Sequence, residues 1–168
     1  MRNIELRPLN IFRDLDNIML WVNDPEITFY FARMGHITRK EEEKFLTSIL
    51  ASRNDIVYSI FVDNTYAGQC SINQIDWTAE IGRMFLVLTK EFQGQSLASP
   101  VIQELINKAF SEHSLFKIWL IVREENTKSQ SIYMRSGFKF EALLRKEYKV
   151  NGIRYDMVRM CTFKRTEE

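Results

Sequence analysis

Two short stretches of this chain concentrate residue types that can do chemistry. The first is Gln93-Gly94-Gln95-Ser96-Leu97-Ala98, set between an apolar run and a helical pattern. Small residues there let successive backbone N–H groups face one concave spot, and the positive end of the following helix favours an anion in it. A pyrophosphate suits that geometry. A plain turn ahead of a helix has the same composition and is the commoner reading. No Gly-Lys-Ser/Thr follows, so the loop is not a Walker loop, and it is not a dinucleotide fingerprint. The second stretch is NTKSQSIYMRSGF, Asn126 to Phe138, directly after another apolar run. Asn126, Ser129 and Tyr133 fall at steps of three and four, which line one face of a helix. A tyrosine there can donate a proton to a departing group. It can also be a core tyrosine whose hydroxyl finds a buried partner.

The elements that must position these stretches follow from periodicity. Ile4 and Leu6 alternate as in a strand. Asn10 can cap a helix whose apolar positions are Ile11, Leu15, Ile18, Met19 and Val22, with Asp24-Pro25 ending it. Thr38 and Glu41 form a capping-box signature for a second helix, with Phe45, Leu46, Ile49 and Leu50 on one face. The run Glu41-Glu42-Glu43 suits the positive end of that helix. Strands are expected at Ile56 to Val62 and Tyr66 to Ile75, joined across Asp63-Asn64, and then at Glu80 to Leu88. Val101, Ile102, Leu105, Ile106, Ala109 and Phe110 mark an amphipathic helix with Pro100 in its first turn. A strand from Phe116 to Val122, a short helix from Asn126 to Arg135 and a terminal hairpin across Asn151-Gly152 complete the order. That order, seven strands and four helices, implies an α/β (α+β) sandwich built around one sheet.

Composition narrows the function classes. The chain has 168 residues, 45% of them hydrophobic, enough for one domain (1–168) with a sizeable core. Its 23 basic and 22 acidic residues nearly cancel, which argues against a broad nucleic-acid footprint. Cys70 and Cys161 lie in apolar runs and read as small core residues, and His36 and His113 are far apart, so no metal site is expected. No window approaches the apolar run of about 20 residues that spans a membrane, and a cytoplasmic location is expected.

Taken together, the two stretches resemble the GNAT acetyltransferase superfamily, and the likeness covers nearly the whole chain. The family's loop pattern is Gln/Arg-x-x-Gly-x-Gly/Ala; here it reads Gln93-Gly94-Gln95-Ser96-Leu97-Ala98, with serine at the central glycine. The more specific pattern, Asn-x-x-Ser-x-x-aliphatic-Tyr-x-x-x-Gly-Phe, is met at Asn126, Ser129, Ile132, Tyr133, Gly137 and Phe138. The opening LRPL, the segment WVNDPEIT and the ending NGIRYDMVRM resemble the RimJ/RimL branch, which acetylates ribosomal proteins and polyamines. The resemblance implies a mixed, mostly antiparallel sheet splayed between its fourth and fifth strands. Acetyl-CoA would enter that gap, with its pantetheine against Leu86, Val87 and Leu88 and its diphosphate on the amides of Gln93, Gly94, Gln95, Ser96, Leu97 and Ala98. Asn126 and Ser129 would hold the inner arm, and Tyr133 would reach the sulfur as the acid. Glu80 is the expected base, directly or through water, and an exposed strand-end glutamate is the equal alternative. A backbone N–H of a bulged fourth strand would face the developing oxyanion.

One position departs from the pattern. At Ser96 the family usually has glycine. A left-handed φ there would cost serine about 1 kcal/mol or obstruct the phosphate. An ordinary helical turn would leave the amides free, and that is the expectation here. The acceptor is expected between the first two helices, along Asp24 to Ile37. Phe29, Tyr30 and Phe31 belong to that loop, most of them in packing and one or two in a pocket. Asp24, Glu26 and Glu41 to Glu43 could attract a polyamine; an amino-sugar nucleotide, a protein N-terminus or an amine drug fits as well. Expected partners are thus a small-molecule amine or a peptide N-terminus, with room for a homodimer and neither nucleic acid nor membrane. Two function classes stand: an amine N-acetyltransferase, and a catalytically degenerate acyl-CoA-binding or regulatory module.

Overall fold

Local signals in the sequence start most of the elements. Asn10 accepts the Arg13 N–H at 3.0 Å and opens α1 (Ile11–Val22). Thr38 and Glu41 cap each other reciprocally and open α3 (Arg39–Ala51). Between them lies a helix the sequence reading did not foresee, α2 (Pro25–Thr28). Asp24-Pro25 does follow the end of α1, but the pair also starts a new turn. Asp24 accepts the Glu26 N–H at 3.0 Å, and Pro25 takes the first helical position, where its missing N–H costs nothing. With α4 (Ala98–Ser111) and α5 (Thr127–Arg135), the described residues hold five α-helices rather than four. The structure, a computed structural model, describes residues 2–31 and 35–165.

The strands are β1 (Ile4–Pro8), β2 (Ile56–Val62), β3 (Thr65–Asp76), β4 (Ile81–Leu88), β5 (Lys117–Arg123), β6 (Lys139–Val150) and β7 (Ile153–Phe163). They form one sheet in the order β1-β2-β3-β4-β5-β7-β6. Every neighbouring pair is antiparallel except β4 and β5. The turn dipeptides behave as their types demand: Asp63, Asn64, Asn151 and Gly152 all take positive φ, as tight primed hairpin turns require.

β4 and β5 pair at only three positions, Ile81 with Lys117, Gly82 with Ile118 and Arg83 with Trp119. Beyond them each strand follows its other neighbour. β4 stays in register with β3 as far as Leu88 opposite Gly68, and β5 stays in register with β7 as far as Arg123 opposite Met157. Sheet twist then carries the two halves apart. Gly68 makes the first pairing possible: a Cβ there would lie 2.1 Å from the Val87 carbonyl oxygen.

Side-chain alternation gives the sheet two buried faces. Ile72, Met84, Leu120 and Val122 pack under α4 and α5 with Val101, Ile102, Leu105 and Phe138. Val57, Phe61, Tyr66 and Val87 pack under α1 and α3 with Leu15, Ile18, Trp21 and Leu46. On α3 the expected apolar face is narrower than its sequence: Leu46 is fully buried, whereas Phe45 and Leu50 are 48% and 47% exposed. Asp14 anchors α1 to the sheet, accepting the Ser59 hydroxyl at 2.5 Å and the Arg13 guanidinium at 2.6 Å. Burial alone would raise its carboxyl, but these donors and the Asn10 amide outweigh burial and hold it below the usual value.

Candidate functional site

The parting strands open a cleft of about 600 Å³ that passes through the sheet. Its two walls are the free edges of β4 and β5. In an antiparallel ladder alternate residues turn their N–H and C=O groups away from the partner strand. Past Arg83, those groups of β4 face the cleft rather than another strand. An amide-bearing arm laid there can add itself as a strand. Leu86, Val87 and Leu88, the residues read from the sequence as such an edge, all line it.

One end of the cleft reaches the loop between β4 and α4. A single 3-10 turn, Lys90–Phe92, leaves β4, and Gln93 fixes its departure by donating Nε2 to the Leu88 carbonyl at 2.9 Å. Gly94 has φ 72 and Ser96 has φ 60, and Leu97 then returns to the right-handed region. Left-handed followed by right-handed residues form a nest, in which successive N–H groups converge. The start of α4 has no side-chain cap and no acidic residue in its first turn, so its leading amides are open to an anion. Gln93, Gly94 and Ala98 line the cleft; Gln95 and Ser96 are exposed outside it, and Leu97 is buried beneath it. The conformation expected for Ser96 is overturned. It sits where glycine is the easier residue, because the nest needs its positive φ, and strain of about 1 kcal/mol follows.

The far wall carries Asn126, Ser129 and Tyr133, brought together as their spacing implied, and all three line the cleft. Asn126 caps α5, its Oδ1 accepting the Ser129 N–H at 3.1 Å, which leaves its amide N–H groups and one Oδ1 lone pair for a ligand. Tyr133 packs edge-on against Phe138, ring centres 5.8 Å apart. It is partly open to the cleft, yet burial pushes its hydroxyl up to about 12. It therefore stays a phenol, able to donate, throughout the neutral range.

Residues 3–139 match the profile of the acetyltransferase (GNAT) domain. The chain belongs to the GNAT acetyltransferase family. Membership carries the reaction class with it: acetyl transfer from acetyl-CoA to a primary amine. Among curated GNAT proteins, the spermidine N(1)-acetyltransferase of Escherichia coli (strain K12) is 26% identical over 97% of this chain and 84% of its own. A putative ribosomal N-acetyltransferase of Bacillus subtilis is 28% identical over 70% of this chain and 64% of its own. The crystal structure of a spermidine N-acetyltransferase from Vibrio cholerae, in complex with CoA and spermine, superposes with a TM-score of 0.90 over 95% of both chains at 24% identity.

The cleft of this GNAT protein continues onto the sheet face under α1 and α3. Trp21, Tyr30, Phe31, Phe45 and Phe85 supply aromatic walls there, and Glu26 and Glu42 supply carboxylates. Gln69, Ser71 and Asn73 form a polar row along β3, and the buried Oε1 of Gln69 has no hydrogen-bond partner among the described residues. Of the aromatic loop, Tyr30 and Phe31 line the cleft and Phe29 does not; Ala32, Arg33 and Met34 lie outside the described residues. No helix among the described residues is long and apolar enough to cross a membrane.

Glu80 does not meet these residues. It occupies the turn before β4 with φ 56, and its carbonyl accepts the Phe116 and Lys117 N–H groups at 2.7 and 3.2 Å. It thus belongs to the zipped end of the β4–β5 pair, away from the opening, and is not among the cleft-lining residues. The β4 bulge expected to aim an oxyanion donor is also displaced. The irregularity lies in β3 between Asn73 and Asp76, where Gln74 has φ 52, while β4 runs regularly from Arg83 to Leu88. Sequence reasoning missed Lys90 and Arg123. Lys90 pairs with Asp24 and Glu26, and the cleft-lining Arg123 sits among aromatic rings. A lone basic residue at a strand end carries no periodic signal, so neither stood out.

Proposed function

We propose that this enzyme acetylates a polyamine-type acceptor: a primary amine on an alkyl chain that bears a second cationic nitrogen. The observation that carries the reading is the cleft that pierces the sheet, with a phosphate nest on one side and an aromatic, carboxylate-bearing recess on the other. A thioester threaded between β4 and β5 is thereby offered to an amine from the face under α1 and α3. The aromatic walls suit an alkylammonium chain, and the carboxylates of Glu26 and Glu42 line the same recess, that of Glu26 shared with Lys90. The relation to a spermidine acetyltransferase along almost the whole chain supports the same choice.

Acetyl-CoA supplies an activated acetyl group and a thiol leaving group. This chain's residues do the rest. Main-chain donors on the open edge of β4 orient the arm and face the oxygen on which charge develops. The amine, with a pKa near 10, must shed a proton before attack, and the recess offers water and carboxylate for it. Tyr133 faces the sulfur. A phenol near 12 gives a hydrogen bond readily, but full transfer to a thiolate near 8.5 is uphill by about 3.5 pK units. Tyr133 therefore completes the transfer only if the proton shed by the nitrogen replaces its own. The balance closes from the ammonium: nitrogen loses two protons, one passing to water or carboxylate before attack and on to solvent, the second leaving the tetrahedral intermediate and matching the one that sulfur gains.

Thiol release with spermidine, a monoamine of equal length and a peptide with a free N-terminus tests the reading. Spermidine should give the highest kcat/KM. Equal rates with the monoamine would remove the second cationic nitrogen from the acceptor. Cofactor binding without turnover on any amine would favour the acyl-CoA-binding module instead. Self-association belongs to the same reading, since one solved relative from Vibrio cholerae is described as dodecameric; sedimentation at micromolar concentration checks it, and a monomer would reject it.

A further inference from the structure

The segment from Asp24 to Phe31 is fastened to both walls of the cleft. Lys90, two residues past the end of β4, sets its Nζ 2.8 Å from Asp24 Oδ2 and 3.0 Å from Glu26 Oε2. Arg123, the last residue of β5, has its guanidinium carbon 5.4 Å from the ring centre of Phe29 and 5.7 Å from that of Tyr30. Tyr155 of β7 backs the same guanidinium at 3.9 Å. Because β4 and β5 separate after Arg83 and Trp119, Leu88 and Arg123 are the two lips of the opening. The segment runs from one lip to the other.

We propose that Lys90 and Arg123 are positioning residues for acetyl transfer. Together they strap Asp24 to Phe31 across the open ends of β4 and β5, which fixes where the amine enters and keeps water from the thioester. The proposal rests on the amine-acetyltransferase reading of the same cleft.

The chemistry of the two anchors supports this. The Arg123 side chain is only 3% exposed, its Nε is buried without a hydrogen-bond partner among the described residues, and its NH1 reaches Glu125 at 3.0 Å. A guanidinium stripped of that much water needs compensation, and three ring contacts with one carboxylate provide it. Arginine suits the place because its flat fork stacks on rings, which a lysine ammonium does not reproduce. Lys90 makes a half-exposed ion pair, which is weak alone. Its effect comes from holding the other end of a segment already pinned by Arg123. Both cations are thereby engaged by the strap. An incoming ammonium meets aromatic rings and carboxylates rather than free positive charge.

The test uses Lys90→Met, Arg123→Met and the double variant in the full chain. Hydrogen exchange of the amides of residues 26–31 should quicken several-fold in each single variant, because a segment freed at either end loses its ordered state, while amides of β2 and β3 stay unchanged. The KM for the amine should rise about tenfold with kcat within about twofold. The KM for acetyl-CoA should hold, and thiol release without amine should increase. The double variant should add little to either single one, because a strap freed at one end is already loose. Lys90→Arg should restore the wild-type values and Arg123→Lys should not. Unchanged exchange in residues 26–31, or fully multiplicative effects in the double variant, would overturn the proposal. If Arg123→Met fails to fold, Lys90→Met carries the same readouts. If the wild-type enzyme turns over no amine, the acceptor reading fails, and the exchange measurement still decides the strap.

Discussion

Along β4 and β5, one pair of strands serves two opposite ends. At the closed end, Ile81 to Arg83 bond directly to Lys117 to Trp119, Gly82 is buried, and the Glu80 carbonyl ties in the chain just before β5. At the open end, Met84 to Leu88 and Leu120 to Arg123 are more apolar than the paired residues and just as fit for a strand, yet they face a cleft. Residue type does not decide the difference. It follows from partner strands, since β3 and β7 each hold their neighbour to its end and so force the middle of the sheet to part. The closed end can then be rigid for stability, while the open end leaves backbone groups unpaired for a ligand to complete.

The comparison can be broken at the open end first. In Gly68→Ala the new Cβ would meet the Val87 carbonyl oxygen at 2.1 Å, at a φ of 150. We expect a loss of about 3 kcal/mol in chemical denaturation and a matching rise in the KM for acetyl-CoA, because the wall of the cleft must shift. Tyr133→Phe should separate chemistry from stability, lowering kcat about a hundredfold, or about 2.7 kcal/mol, with the melting temperature and acetyl-CoA affinity retained. A kcat unchanged within twofold would remove Tyr133 from the acid role. The wild-type pH profile sharpens the same point. The phenol donates only while protonated, so its contribution is present below its raised pKa and lost above about 12. A tyrosine-dependent fall in kcat centred near 10 would contradict the burial of that hydroxyl.

At the closed end, Gly82→Ala should do the converse. Its Cβ would lie 2.4 Å from Ile72 Cγ2, which costs about 2 kcal/mol of stability by overpacking. The kinetic constants at low temperature should stay near wild type. The smallest effect is expected at Ser96→Gly, which relieves a left-handed serine: about 1 kcal/mol at most in chemical denaturation, with the acetyl-CoA dissociation constant by calorimetry unchanged, because the strain is already present in the free nest. Weaker binding would mean that the serine hydroxyl itself contacts the diphosphate.

Much of this arrangement was legible in the chain. Hairpin dipeptides, capping residues and apolar periods located the strands and four of the helices, because those signals act within a few residues. The Asn126–Ser129–Tyr133 spacing placed three groups on one wall, since a helix converts spacing into direction. Glu80 was misplaced for the opposite reason. Which end of a parallel pair stays zipped depends on β3 and β7, and no local pattern around residue 80 reports that. Ser96 misled because composition does not reveal φ, and the nest takes its shape from the turn that precedes it. The strap went unread because Asp24-Pro25 signals a stop and a start with the same two residues.

At the root of the aromatic loop, the Asn23 side chain takes the Ile37 N–H at 2.8 Å and gives its own amide hydrogen to the Ile37 carbonyl at 2.9 Å. That pair of bonds fixes the distance between the loop's two stems regardless of what lies between them. Changes of length between the stems can therefore be absorbed without re-registering any strand, provided the contacts to Lys90 and Arg123 are kept. Acceptor preference in descendants of this chain can drift there by insertion and deletion, while the acetyl-handling machinery is inherited intact.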